Sequence, residues 1–212
     1  MPVSLAGREV ARSWFARDPL ELAPELLGAT LTHRTESGTV SVRLTEVEAY
    51  RSVDDPGSHA YRGVTPRTQV MFGEPGHLYV YFTYGMHTMM NIVASQPGEA
   101  AAVLLRAGEV IDGLQLARDR RPHSNDRDLA RGPARLATAL GVELSQNGVD
   151  LFATEQFRLA LPIAALPYRR TPRTGVSGPG GAITFDWRFA AIDADGRELR
   201  SVLPYKRHPN SH

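Results

Sequence analysis

Runs of β-prone residues, separated by turn-forming residues, constrain the fold of this chain more than any other feature. Valine, isoleucine, threonine and aromatic residues dominate these runs, and Gly, Pro, Asp and Ser fill the segments between them. The predicted strands cover residues 29–34, 39–49, 77–83, 88–95, 100–107 and about 182–190. Three consecutive strands in the middle of the chain predict an antiparallel meander, and the absence of a βαβ alternation predicts the α+β class.

Capping residues predict two helices. Asp18 and Pro19 provide an N-cap followed by proline at the first helical position, and the helix is expected to stop near Gly28, with a possible break at Pro24. A second helix is expected between Gly132-Pro133 and Gly141. Together with the strands, this predicts a curved, mostly antiparallel β-sheet flanked by helices.

Length and composition predict one domain, residues 1–212, in an intracellular, cytoplasmic protein. The 212 residues suit one compact domain or at most two small ones. Cysteine is absent, and no N-terminal segment has the layout of a signal peptide. The longest apolar runs, such as Ala101–Leu105, are far shorter than the roughly 20 residues of a membrane-spanning helix. No association with a membrane is therefore expected.

Positive charge is concentrated in the second half of the chain, although the net charge is only +1. Six arginines lie in residues 118–135, and four lie in residues 158–173 without any acid. A solvated surface explains such clusters, and contact with phosphates is the functional alternative. Among the 24 basic residues, Lys206 is the only lysine.

Two carboxylates in the second predicted strand are candidates for a general base. Period-2 geometry places Glu46 and Glu48 on the same face as Val40, Val42 and Leu44, which indicates that both point inward. Desolvation there would make a carboxylate a better proton acceptor. The alternative is a structural carboxylate that is paired with an arginine such as Arg106.

Aromatic residues follow the carboxylates closely. His59, Tyr79 and Tyr81 could form with Tyr50 a pocket that stacks a planar base, although each tyrosine could instead be a core or rim residue. Tyr84 precedes a glycine at a predicted tight turn. An exposed ring there could wedge between base pairs, whereas the alternative is a ring folded back onto the sheet.

Other chemistries lack their signatures. No HExxH or similar spacing connects the histidines, so no metal is expected. The chain also contains no Gly-x-Ser-x-Gly nucleophile elbow and no phosphate-binding P-loop. We therefore expect no cofactor.

A series of motifs resembles the 3-methyladenine (alkyladenine/hypoxanthine) DNA glycosylase family, in the same order, over about residues 17–190. The motifs are Leu26-Leu27-Gly28, Thr45-Glu46-Val47-Glu48-Ala49-Tyr50, Thr65-Pro66-Arg67-Thr68, Met71-Phe72, Pro75-Gly76-His77-Leu78-Tyr79-Val80-Tyr81, Tyr84-Gly85-Met86, Met90-Asn91, Val103-Leu104-Leu105-Arg106-Ala107 and Gly132-Pro133.

The resemblance implies a role for seven residues. They are Glu48 as the catalytic carboxylate, Arg106 beside the nucleophilic water, Tyr50, His59 and Tyr81 as the base-stacking pocket, Asn91 as a screen against unsuitable purines, and Tyr84 as the residue that fills the gap left by the flipped nucleotide. Two departures affect the expected substrate range. Thr174 replaces an aliphatic residue of an Arg-Ile-Gly-Ile pattern, and Asp186 stands where proline is common, so the loop at residues 178–181 could differ in shape.

These observations predict a monofunctional DNA glycosylase. Its expected partner is double-stranded DNA containing alkylated or deaminated purines, with no obligate protein partner. A glycosylase with lyase activity needs an amine for a Schiff base, and Lys206 lies outside every motif, while Pro2 is a weak candidate. The alternative is a noncatalytic nucleic-acid-binding module with exposed aromatics and an Arg-rich flank.

Overall fold

The longest strand, β2 (Gly38–Tyr50), organises the fold, which a computed structural model describes for residues 7–83 and 85–202. The other strands are β1 (Thr30–Thr35), β3 (Leu78–Thr83), β4 (His87–Ala94), β5 (Ala101–Asp112), β6 (Phe157–Ala160), β7 (Tyr168–Thr171) and β8 (Arg188–Ala191). The main order is β3-β4-β5-β2-β1-β6, and all pairings are antiparallel. One edge of β2 pairs with β5, and the other is shared between β1 and β8. The sheet is strongly curved, and the α+β prediction is confirmed.

The two predicted helices form where their caps indicate. The first, α1 (Pro19–Glu25), starts after Asp18, whose carboxylate accepts a 2.8 Å hydrogen bond from the Leu20 amide. Pro24 lies inside this helix and does not break it. A further helix, α2 (Leu114–Arg120), lies between β5 and the second predicted helix and was not predicted. The other predicted helix, α3 (Pro133–Leu140), ends at Gly141 with a φ of +75°.

The two faces of the sheet have different cores. On one face, the three helices cover a large cluster of aliphatic side chains, including Leu44, Ile92 and Leu105. Loops cover the opposite face, where a smaller cluster contains Met71, Tyr79 and neighbouring small residues. We call these the helix face and the cavity face, because a large cavity opens on the second.

The alternation along β2 differs from the prediction. Val47 and Ala49 join Leu44 in the core of the helix face, so Glu46 and Glu48 do not continue that apolar stripe. The register between β2 and β5 shifts on either side of Glu46, because one strand and then the other contains an extra residue. These β-bulges turn the two glutamates away from the helices. Both are nevertheless fully buried, as predicted.

The C-terminal part of the described chain is less regular than expected. The strand predicted near residues 182–190 is limited to β8, and a 3-10 turn, Gly178–Gly181, precedes it. The short strands β6 and β7 were not predicted. No helix among residues 7–83 and 85–202 is long and apolar enough to span a membrane.

Candidate active site

A cavity of 520 Å³ opens on the cavity face, between strands β3–β5 and two loops. This volume falls in the range of small-molecule sites. The side chains that line it are mainly aromatic and polar, and they include Tyr50, His59, Tyr79, Tyr81, Met89, Asn91, Arg106, Pro133 and Thr174. The structure therefore brings together Tyr50, His59, Tyr81, Asn91 and Arg106, which the resemblance assigned to one site.

Glu48 lies directly behind the cavity wall and is held by three hydrogen bonds. Its Oε2 accepts bonds from the Tyr50 hydroxyl at 2.8 Å and from Arg106 Nη1 at 3.2 Å. Its Oε1 accepts a bond from the Thr174 amide at 2.7 Å. All three donors line the cavity. Because a carboxylate oxygen has two lone pairs, Oε1 keeps one acceptor position open in the described part of the chain.

The arginine beside Glu48 is shared with the second buried glutamate. Arg106 Nε donates to Glu46 Oε1 at 2.8 Å while Nη1 reaches Glu48. Burial lowers the pKa of Arg106, but the carboxylates of Glu48 and Glu46 outweigh it and raise the pKa above its usual range. Arg106 therefore keeps its positive charge next to Glu48.

Tyr50 keeps its proton in this environment. Burial, and secondly the charge of Glu48, hold the pKa of its hydroxyl well above the usual range. The hydroxyl therefore remains a hydrogen-bond donor to Glu48.

One wall of the cavity consists of three aromatic rings. Tyr79 and Tyr81 stack with centroids 5.2 Å apart, and His59 meets Tyr81 edge to face at 4.6 Å. Arg67 Nη2 lies 3.3 Å from His59 Nε2, and the Tyr79 hydroxyl lies 3.1 Å from Nδ1. Because guanidinium can only donate, Nε2 is the acceptor, and Nδ1 carries the proton. Burial and, secondly, Arg67 lower the pKa of His59 to about 4, so this wall is uncharged at neutral pH.

Asn91 is fixed at the floor of the cavity. Its Nδ2 donates a 3.0 Å hydrogen bond to the Tyr79 carbonyl on the neighbouring strand, and the residue is almost completely buried. Its face of β4 also carries Met89 and Val93, because alternate side chains of a strand point to the same face. The bond to the carbonyl fixes the orientation of the amide, since a carbonyl can only accept.

A buried ion pair that the sequence did not indicate fixes the loop that carries Thr174. Arg173 donates two hydrogen bonds to the Asp55 carboxylate, at 2.5 and 2.6 Å, and both side chains are fully buried. The same guanidinium binds the Ala49 and Gly180 carbonyls. A Cβ on Gly180 would lie 2.3 Å from the Gly57 nitrogen, so the two loops touch where neither has a side chain. The ion pair and the close approach of the two loops together place the Thr174 amide against Glu48 Oε1.

The environment of the Thr174 hydroxyl group is also unusual. The Oγ1 atom is shielded from solvent and has no hydrogen-bond partner among residues 7–83 and 85–202. An isolated buried hydroxyl is costly, and such groups occur where structure serves function. The sequence had marked this position only as a departure from an aliphatic pattern.

The arginine clusters are mostly engaged within the protein. Of the ten arginines in residues 118–135 and 158–173, nine form hydrogen bonds or ion pairs with described residues. Arg135, exposed in the first turn of α3, forms none with them. It lies two residues after Pro133, which lines the cavity. These clusters therefore serve structure more than their charge alone suggested.

Two of the remaining expectations concern Tyr84 and metal ions. Tyr84 lies outside the described residues, between β3 and the turn at Gly85. The part of the chain that the structure describes contains no group of three or more His, Asp or Glu residues that could hold a metal ion.

A buried carboxylate behind an aromatic cavity, on a curved antiparallel sheet, is the arrangement that the sequence motifs imply for a DNA glycosylase. Residues 13–195 match the model of the methylpurine-DNA glycosylase (MPG) family. The chain belongs to this family. It is therefore a DNA glycosylase, a hydrolase of N-glycosyl bonds.

Several known proteins are similar to this chain over most of its length. A protein of Leifsonia xyli subsp. xyli (strain CTCB07) is 52% identical over 207 residues, which cover 95% of this chain and 94% of the relative. One of Streptomyces avermitilis is 52% identical over 204 residues, or 94% and 92% of the two chains. One of Nocardia farcinica (strain IFM 10152) is 49% identical over 203 residues, or 92% and 90%. All three bear the name "Putative 3-methyladenine DNA glycosylase".

Proposed function

We propose that this protein removes alkylated or deaminated purines that have been flipped out of duplex DNA, with Glu48 as the general base. One observation carries the proposal: a fully buried carboxylate is bonded by three groups that all line one aromatic cavity. The family and the names of the relatives support the 3-methyladenine class of substrate. Base excision repair is the process that such an activity serves.

The hydrogen bonds of Glu48 suggest which oxygen takes the proton. Oε2 is occupied by Tyr50 and Arg106, whereas Oε1 has an open acceptor position beside Thr174. A water reaching Oε1 past Thr174 transfers a proton to Glu48 as its oxygen bonds to the sugar C1′. The electrons of the broken N-glycosidic bond leave with the purine. Arg106 keeps a positive charge beside Glu48 during this step.

The aromatic wall suits a cationic purine. A base such as 3-methyladenine carries positive charge, and uncharged rings attract cations through their π faces. A protonated His59 would repel this base, but the low pKa of His59 keeps it neutral. Because the alkylated base is already charged, it leaves without prior protonation. A neutral purine such as hypoxanthine needs additional help to leave.

Duplex DNA is the proposed partner. Extruding a nucleotide costs a few kcal/mol, and we propose that Tyr84 repays part of this by filling the vacated stack. Arg135 is our candidate for a phosphate contact near the cavity, because no described residue engages it. Tyr84→Ala should then reduce excision from duplex far more than it lowers thermal stability. Equal losses of both would indicate a core tyrosine.

A turnover assay tests the function directly. Methylated duplex DNA is supplied in large excess over the protein, and free 3-methyladenine is measured by chromatography. Repeated release of free base per protein molecule supports the proposal, whereas a binding module releases none. Treatment with borohydride during the reaction should trap no covalent protein–DNA adduct, since the only lysine is Lys206. A trapped adduct would contradict the monofunctional mechanism.

A further inference from the structure

A second ion pair lies behind the arginine that contacts Glu48. Arg188, on β8, donates from Nε to Glu46 Oε1 at 2.7 Å, and both side chains are fully buried. The same oxygen accepts from Arg106 Nε at 2.8 Å. Arg188 Nη1 also lies 3.4 Å from Glu198 Oε1. Five charged groups thus form a continuous chain of alternating sign, Glu198–Arg188–Glu46–Arg106–Glu48. Its last member accepts hydrogen bonds from the cavity-lining Tyr50 and Thr174.

This arrangement fixes Arg106 at two points. Its Nε binds Glu46 and its Nη1 binds Glu48, so one planar guanidinium spans both carboxylates. Such a planar group has a fixed fork of donors, and anchoring one side therefore aims the other. Without the Glu46 contact, Arg106 would be free to turn within the site.

Arg188 balances the charge of Glu46. Burial raises the pKa of Glu46, but Arg106 and Arg188 outweigh it and lower the pKa below its usual value. Glu46 is therefore charged, and without Arg188 it would share its remaining described ion-pair partner, Arg106, with Glu48. Arg188 offsets the negative potential that Glu46 produces at Glu48, so this potential opposes that of Arg106 less there. Burying an incompletely neutralised carboxylate is costly, which argues that the second pair is needed.

We propose that Glu46 and Arg188 are positioning residues for base excision, which hold Arg106 in place and set the electrostatic field at Glu48. This inference rests on the proposed role of Glu48 as the general base. Neither residue lines the cavity, so both act through Arg106 and not on the substrate.

The charged and titratable groups around Glu48 come from several elements. Arg106 faces it from β5, Tyr50 from its own strand, Tyr81 from β3 and Arg173 from the loop after β7. Neither replacement removes any of these four residues, and Glu46→Gln keeps a side-chain oxygen that can accept the hydrogen bond from Arg106 Nε. The two replacements remove charges of opposite sign, and this gives the test its direction.

The test measures single-turnover excision of 3-methyladenine against pH. Glu46→Gln removes a negative charge near Glu48, so the acid-side midpoint of the rate profile should move to lower pH. Arg188→Met removes a positive charge, so the midpoint should move to higher pH. We expect each shift to be about one pH unit, because each removed charge is connected to Glu48 only through Arg106 and is partly screened. A role in folding alone would move both variants in the same direction or neither.

Two further variants keep the test decisive if Arg188→Met does not fold. Arg188→Lys keeps the positive charge and should keep the wild-type midpoint. The double variant Glu46→Gln/Arg188→Met removes the pair together, leaves no lone buried charge, and should lie near the wild-type midpoint. Glu109→Gln, on β5 but paired at the surface with Arg43, serves as the matched control. Thermal melts confirm that each variant is folded.

The outcomes separate this inference from the proposed function. Full activity of Glu48→Gln would overturn the proposed function itself. An inactive Glu48→Gln enzyme, with unchanged midpoints for Glu46→Gln and the Arg188 variants, would overturn only the positioning role. Opposite shifts that cancel in the double variant support it.

Discussion

The helix face and the cavity face of the sheet are both buried, but they are buried for different reasons. Leu44, Val47 and Ala49 on the helix face pack against other hydrocarbon side chains, which stabilises the fold. On the cavity face, Glu48 and Arg106 are equally out of solvent, although burying charge costs stability unless partners compensate. Burial alone therefore does not identify the role of a residue. What distinguishes the cavity face is polar side chains that are held in place by several hydrogen bonds.

The largest expected effect tests whether the cavity face carries the chemistry. Glu48→Gln keeps the size of the side chain but cannot accept a proton, and loss of a general base typically costs about 10²–10⁴-fold in rate. Single-turnover excision should fall by this factor, while binding to duplex with an abasic analogue stays nearly unchanged. Glu109→Gln, at a partly exposed pair on the same sheet, should keep its activity. Near-normal turnover of Glu48→Gln would remove Glu48 from its role.

A substitution on the helix face should instead lower the stability of the fold and leave the excision rate nearly unchanged. Leu44→Ala creates a cavity in a fully buried aliphatic core, and such changes cost about 2–5 kcal/mol. We expect this loss in the free energy of unfolding, measured with urea, and a nearly normal excision rate at temperatures where the variant is folded. If the rate of the folded variant instead falls a hundredfold, the separation between the two faces is wrong.

Asn91→Ser should change selectivity without disabling the base. We propose that the Asn91 amide clashes with the 2-amino group of guanine or leaves it unpaired, which costs about 1–3 kcal/mol and gives roughly 5- to 150-fold discrimination. Serine makes room, so removal of guanine should rise relative to removal of hypoxanthine on matched duplexes. Thr88→Ser, on the same strand but outside the cavity lining, is the control. An unchanged ratio would leave Asn91 as an ordinary strand residue.

The smallest expected effect concerns stability on the cavity face. Thr174→Val removes a buried hydroxyl for which the described part of the chain offers no partner, and the isosteric change should raise the free energy of unfolding by about 1 kcal/mol. Thr138→Val is the matched control, because the Thr138 hydroxyl donates to the Ala134 carbonyl and its loss brings no gain. A less stable Thr174→Val variant would show that the hydroxyl is already satisfied.

Local sequence signals predicted the elements that depend on local chemistry. Asp18 caps α1, and Gly141 ends α3, because these residues act within one or two turns of the chain. The β-bulges beside Glu46 could not be read this way, since they depend on how β2 pairs with β5. Burial of Glu48 was predicted correctly, but the reason was wrong, because the simple alternation assigned it to the helix face.

The motifs predicted which residues line the candidate site, but they did not predict the ion pair that holds one of its loops in place. Tyr50, His59, Tyr81, Asn91 and Arg106 were expected together and do line one cavity. The buried pair between Asp55 and Arg173 was not expected, because 118 residues separate them and nothing near either one announces the other. Long-range pairs of this kind need a structure or a set of related sequences.

The distance along the chain between Glu48 and its supports has a consequence for biosynthesis. Thr174, which donates to Glu48, lies 126 residues later, and Arg188 lies 142 residues after Glu46. A ribosome completes β1–β5 long before it reaches these residues, so the emerging sheet carries two acidic side chains with only Arg106 between them. Closing the site is therefore a late step of folding on the ribosome. Part of the core of the helix face must also wait, because Trp187 and Phe189 belong to it and are added after Thr174.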